Sequence, residues 1–237
     1  MKKNKKSGSL YSIVAVVLFL AGLTVFFYPT VSDQINRYRQ HDAIRDYKAL
    51  VSELDKEECS RMLAEAEAYN ARLLTRPAGH QLTEEERREY GSLLKADKKG
   101  VMGYVEIPKI HVSLPIYHGT DEEVLKNAIG HIESSSLPVG GTGTHAVISG
   151  HRGLPSAKLF TDIDQLAEGD RFMIRVLDRT MTYEVDQIHV VLPEEMDDLK
   201  IDPEEDYCTL ATCTPYGVNT HRLLVRGTRV EIGRAHV

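Results

Sequence analysis

Apolar and polar positions divide the chain into three textures. The first is unbroken: Leu10 to Tyr28 reads LYSIVAVVLFLAGLTVFFY, 19 residues without a charge, behind Lys2, Lys3, Lys5 and Lys6. As a helix this run rises about 28 Å, close to the ~30 Å hydrocarbon core of a bilayer. The lysines hold the N-terminus in the cytoplasm and place everything after Tyr28 outside. A cleaved signal peptide has the same charged head and apolar run. Against it, the run exceeds a usual signal core and no small-x-small site precedes Pro29. The second texture is periodic. Ile44, Tyr47, Val51, Leu54, Met62, Ala66, Tyr69 and Leu73 recur at steps of three or four, with Glu58 the one polar interruption. That predicts one amphipathic helix of about eight turns, a stalk packed on the next domain or a coiled-coil seam. After the break TRPAGH, Thr83 and Glu86 form a capping-box signature that opens a second helix through about Lys95. The run EEERRE reads as its solvated face.

From Val101 the texture changes to short β-rich runs: VMGYVEIP, SLPIY, HAVISG, RFMIRVL, MTYEVDQIHVVLP, DYCTLATC and HRLLVRGTRVEI. Gly, Pro, Asn and Asp separate them, and two short helical inserts are expected near 121–129 and 157–166. Many short strands with small helices between them predict a closed or sandwiched β domain of about 135 residues. The chain therefore divides into a basic tail (1–9), an anchor (10–28), helices (29–100), a β domain (101–232) and a short tail (233–237). Composition narrows the classes. Hydrophobic content of 42% and charged content of 27% exclude wholesale disorder. A net charge of −6 argues against a general nucleic-acid binder. Cys59, Cys208 and Cys213 are too few for a disulfide scaffold and too scattered for a metal knuckle. An exported domain without paired cysteines suits a bacterium bounded by a single membrane.

Three residues at strand ends carry the candidate chemistry. Cys213 closes an apolar run before a Thr-Pro turn, Arg222 opens the next strand, and His151 follows the strand ending HAVISG. A thiol to attack a carbonyl, an imidazole to move protons and a guanidinium to hold the oxyanion are the parts of an acyl-transfer site. A buried cysteine, a turn histidine and a surface arginine remain the plain alternative. Thr212 and Thr214 flank the cysteine, either lining a groove or bonding to backbone. His145 lies six residues before His151 and lacks H-E-x-x-H spacing, so it reads as structural. His118-Gly119-Thr120 reads as a turn. Cys208 lies five residues from Cys213, which on an extended strand puts the two on opposite faces and argues against a disulfide between them.

ISGHRG and TLATCTPYGVNTHRLLVRG resemble the bacterial sortases, membrane-anchored cysteine transpeptidases built on an eight-stranded β-barrel. Thr209, Leu210, Thr212, Cys213 and Arg222 match the family's T-L-x-T-C…R element. GYVEIPKI, LPIYHGT, AIGHIESSSLPVGG and THAVISGHRGLPSAKLFTDID are similar to the class C, pilin-polymerising branch, as are the two helices before the barrel. The resemblance implies Cys213 as nucleophile, His151 as general acid/base and Arg222 as oxyanion and substrate holder. It implies as substrate a protein bearing an LPXTG-like signal, cut between Thr and Gly, and as acceptor a pilin lysine, with no cofactor, metal or nucleic acid involved. A housekeeping sortase, which uses a cell-wall peptide bridge as acceptor, is the nearest alternative. A non-enzymatic wall protein, a hydrolase and an L,D-transpeptidase are further ones, the last lacking its usual histidine beside the cysteine. Two departures stand out. No Asp-Pro-aromatic lid triplet occurs in residues 70–100, where the only proline is Pro77, and no apolar run follows the domain where that branch often has a second membrane helix.

Overall fold

The computed structural model describes residues 6–76, 82–96 and 100–230. The expected TRPAGH break with Pro77, and both terminal tails, lie largely outside them. A single helix, α1 (Lys6–Glu53), carries the apolar run and continues far past it, through Pro29. Residues 11–30 are all exposed, which excludes a core helix for this run. The long amphipathic helix expected from Ile44 to Leu73 is two helices. α1 stops at Glu53, and α2 (Lys56–Leu74) restarts after Asp55. The cause is local: the Asp55 carboxylate accepts the Glu58 N–H at 2.7 Å, capping a new helix. Glu58, the one polar step in the stripe, is the third residue of that new helix.

The apolar seam of both helices is spent on the β domain. Buried Tyr47 donates its hydroxyl to the Met102 carbonyl at 3.0 Å and accepts the Leu177 N–H at 2.8 Å. Buried Asn70 grips the Leu137 backbone twice, donating to its carbonyl at 3.0 Å and accepting its N–H at 2.7 Å. Cys59 lies among these core residues, 3% exposed. The third helix, α3 (Glu84–Tyr90), has the reciprocal Thr83/Glu86 capping box but ends sooner than expected. The chain turns at Gly91 and passes through Leu94 at φ 53°, a left-handed conformation that no helix continues. The charges of α3 are mostly exposed and pair outward, Arg72 with Glu89 and Arg87 with Glu133.

Eight strands follow: β1 (Val101–Ile107), β2 (Val112–His118), β3 (Ile129–His131), β4 (Thr144–Ser149), β5 (Arg171–Val176), β6 (Arg179–Val191), β7 (Asp206–Thr214) and β8 (His221–Val230). They close into a barrel in the order β1-β2-β3-β4-β7-β8-β6-β5. The pairs β2/β3 and β4/β7 are parallel and the rest antiparallel. Alternation along β5 sends Phe172, Ile174 and Val176 inward to meet Val105, Ile148 and Val225. Each such burial contributes roughly 1.5–3 kcal/mol. Both expected helical inserts shrink. The first is one turn, α4 (Glu122–Leu125), followed by the three-residue β3, which is too short to show a periodicity of its own. The second is a loop with a 3-10 turn at Ile163–Gln165.

Candidate active site

The site assembles at one end of the barrel because β4 and β7 run parallel and in register. Ser149 stands opposite Ala211, so both chains leave the barrel at the same rim. Along β7, Cys208 and Leu210 face the barrel core, while Ala211 belongs to an apolar cluster on the outer face. Cys213 shares the parity of Ala211 and is half-buried on that outer face with a free thiol. Cys208, fully buried, faces the other way, as the five-residue spacing requires. Burial pushes its thiol far up, so it is inert. Directly across the β7/β8 hairpin, Arg222 is the partner of Cys213. Opposed residues on one face bring their Cβ atoms to about 5 Å. The Arg222 guanidinium is held by the carbonyls of His221 at 3.1 Å and Asn219 at 3.3 Å.

His151 lies two residues beyond β4, and its neighbours are laced to the neighbours of Cys213. Thr212 Oγ1 donates to the Gly150 carbonyl at 2.7 Å, and Arg152 Nη1 donates to Thr214 Oγ1 at 3.2 Å. The residues on either side of the cysteine thus hold the residues on either side of the histidine. Asp164 anchors the far end of the brace by pairing with Arg152. The groove-lining reading of Thr212 is corrected: it is 2% exposed and faces inward, because its parity on β7 is that of Leu210. Thr214, half-buried, spends its hydroxyl on Arg152. Among the described residues the His151 ring and the Cys213 thiol make no hydrogen bond to each other or to other side chains, which leaves both available to a substrate.

Two glycines make the approach possible. A Cβ on Gly150 would come within 2.7 Å of Ile129 Cγ2 and 2.8 Å of the Phe160 ring. Gly153 has φ +80° and lies under the Tyr216 ring, which would sit 3.0 Å from an added Cβ. Sequence reading gave no role to Arg152, Gly150 or Asp164. Only the adjacency of the first two to His151 could have flagged them. Beside the thiol, Val147, Ala211 and Leu224 form an apolar floor with Ile132, Val191 and Leu199 packed on it. Ile132, Val147 and Leu199 also line a cavity of about 900 Å³ that reaches Leu73 on α2, Arg76 just after it and Arg87 on α3. Among the described residues no cluster of His, Cys, Asp and Glu has the makings of a metal site.

His145 and His118 are built into the fold. Buried His145 donates Nδ1–H to the Lys200 carbonyl at 2.9 Å, and its Nε2 meets Thr209 Oγ1 at 2.7 Å. The His118 ring, at the end of β2, sits with Nε2 2.7 Å from the Leu93 carbonyl and Nδ1 3.1 Å from that of Gly100, and the chain turns after it at Gly119.

The arrangement has counterparts. Residues 105–230 match the Sortase domain. Sortase C1 from Streptococcus agalactiae superposes with a TM-score of 0.79 at 50% identity, covering 81% of this chain and all of that one. Clostridium perfringens sortase C, solved with the C-terminal cell wall sorting motif, gives a TM-score of 0.71 at 44% identity over 81% of this chain and 99% of that one. Sortase D of Bacillus subtilis (strain 168) is 30% identical over 131 residues, 54% of this chain but only 63% of that protein.

Proposed function

The chain belongs to the sortase family, and from that premise we propose that it is a membrane-anchored cysteine transpeptidase of the class C, pilus-assembling branch. The observation that carries this reading is the rim geometry: Cys213 opposite Arg222, with His151 fixed beside them by the threonine brace. In the proposed reaction the Cys213 sulfur attacks the threonine carbonyl of an LPXTG-like signal, and its proton passes to His151. The developing oxyanion lies against the Arg222 guanidinium. Collapse breaks the Thr–Gly bond, and His151 returns the proton to the leaving glycine amine. A thioester remains on Cys213. The amine of a lysine on a second pilin subunit then attacks it, losing a proton to His151, and a new amide forms as the thiol is released. The steps balance with no added energy source, since a peptide bond is exchanged for another amide.

Support for the substrate class comes from the likeness to class C enzymes, one of them solved with a sorting motif. Support for the anchor is the exposed apolar segment of α1 behind its lysines. The test is intact-mass analysis of the full chain, in vesicles, with an LPXTG-bearing pilin fragment, with hydroxylamine as trap in a parallel sample. A hydroxamate ending at Thr that vanishes in Cys213→Ala is expected, and pilin–pilin products without the trap. Transfer to a cell-wall bridge peptide but never to pilin lysine would replace the pilus reading with the housekeeping one. An unreactive Cys213 with no product at all would overturn the enzyme reading.

A further inference from the structure

Helix α1 acts as a ruler for the barrel. Its contacts with the β domain come in order along the helix. Asp33 Oδ1 accepts the Lys158 N–H at 2.9 Å, and Asn36 Nδ2 donates to the Ser156 carbonyl at 2.7 Å. Gln40 Nε2 donates to the Asn127 carbonyl at 2.9 Å, and Tyr47 reaches Met102 and Leu177. At 1.5 Å per residue Asp33 is about 7 Å past Tyr28, and Tyr47 about 28 Å past it. The loop bearing Ser156 and Lys158 is therefore the part of the β domain nearest the apolar run, and the β5–β6 turn at Leu177 is far from it. That nearest loop is the one that follows His151. Cys213 leaves the barrel at the same rim, because Ser149 and Ala211 are in register. The reactive end of the barrel thus points back along α1 toward the apolar run.

At this rim the β7–β8 loop ends in two apolar side chains facing outward, Tyr216 (59% exposed) and Val218 (63%). The Tyr216 ring lies over Gly153, only a few residues from Ser156 and Lys158. Residues 214–221, TPYGVNTH, hold no carboxylate, and exposed Lys158, Arg37 and Arg39 stand in the neighbouring segments, Arg37 paired with Asp33 at 2.9 Å and Lys158 4.0 Å from Asp162. Exposed tyrosine with a small apolar neighbour and flanking cations is the chemistry of a headgroup-level contact. We propose that the Tyr216–Val218 tip rests in the headgroup region of the membrane that α1 crosses, so that Cys213 opens directly on the bilayer surface. The LPXTG-like signal of a substrate at that bilayer then meets the thiol at headgroup height. This inference rests on the anchor reading above.

The chain contains no tryptophan, so single-tryptophan variants report one position each. Four are compared as full chains in phosphatidylcholine–phosphatidylglycerol vesicles whose acyl chains carry bromine near the headgroups: Tyr28→Trp, Tyr216→Trp, Val218→Trp and, at the far end, Asp178→Trp. Fluorescence is expected to fall at least about twofold against unbrominated vesicles for the first three and to stay unchanged for Asp178→Trp. Quenching at Tyr28→Trp with none at Tyr216→Trp or Val218→Trp overturns the tip contact and leaves the anchor standing. No quenching at Tyr28→Trp overturns both. Equal quenching at Asp178→Trp overturns the proposed orientation.

Discussion

Two histidines of this barrel, His131 and His151, are confined to very different degrees. His131 on β3 is fully buried beside α3, and both of its ring nitrogens have fixed partners. The Ser136 carbonyl, 2.7 Å from Nε2, can only accept, so the proton is on Nε2 and Nδ1 accepts from the Tyr90 hydroxyl at 3.0 Å. That hydroxyl in turn accepts the Gly119 N–H at 3.0 Å. Ser135 adds a further contact to Nε2 at 3.1 Å and accepts the Val147 N–H at 3.0 Å. His151 is half-buried, its backbone braced on both sides and its ring uncommitted. The difference separates two uses of one side chain. A histidine that welds a helix to a sheet is satisfied and held neutral, whereas the one at the cysteine's rim is fixed in place with its ring's hydrogen-bonding capacity unspent.

The largest effect expected on this contrast is at the cysteines. Cys213→Ala should lower acyl transfer by at least about 10³-fold while leaving the melting temperature in place, because the side chain is on the outer face. Cys208→Ala should do the reverse, costing about 1–2 kcal/mol of stability through a core void with activity retained. Denaturation and transfer assays on the same samples separate the two. Next comes Tyr90→Phe, which strips the hydroxyl from Gly119, His131 Nδ1 and the His131 carbonyl. A stability loss of about 1–3 kcal/mol in urea melts is expected, with kcat/KM unchanged.

The pH dependence of stability sharpens the comparison further. Burial lowers His131 from its ordinary 6.5 to about 4. Between those values the unfolded chain holds a proton that the folded chain does not, so stability is present above about 6.5 and lost as pH falls toward 4. The slope is up to about 1.4 kcal/mol per pH unit for one such group. His118 and His145, also lowered by burial, act in the same direction. Asp206 opposes them, because burial raises its carboxyl and the folded state gains protons first. Urea midpoints at successive pH values should decline below 6.5, and a flat profile would contradict the neutral, locked assignment. The smallest expected effect is that of Thr214→Val. It removes the acceptor of Arg152, and about 1 kcal/mol of lost positioning corresponds to a roughly five- to tenfold fall in kcat with KM and melting temperature little changed. Asp164→Asn should fall in the same range, and a change in KM alone would contradict the brace.

Much of this molecule is written in local patterns. A charge-free run behind lysines marks the apolar helix, Thr83 and Glu86 cap α3, and alternation along 171–176 and 206–213 sets which side chains enter the barrel. The same alternation places Cys208 inside and Cys213 outside, since a strand's period is two whatever its partners. The motif around Cys213 and Arg222 is legible because a hairpin joins residues that are near in sequence. The short β3 and the loop after His151 left no periodic signal. The division at Asp55 was hidden because Glu58 fell in phase with the apolar stripe. What only the tertiary structure decided is the long-range part: that parallel β4 and β7 carry His151 to the cysteine's rim, that Thr212 and Thr214 brace it, and that α1 turns this rim toward the apolar run. These depend on strand partners and registers 60 to 125 residues apart, and no residue's own propensity encodes which distant segment will pack against it.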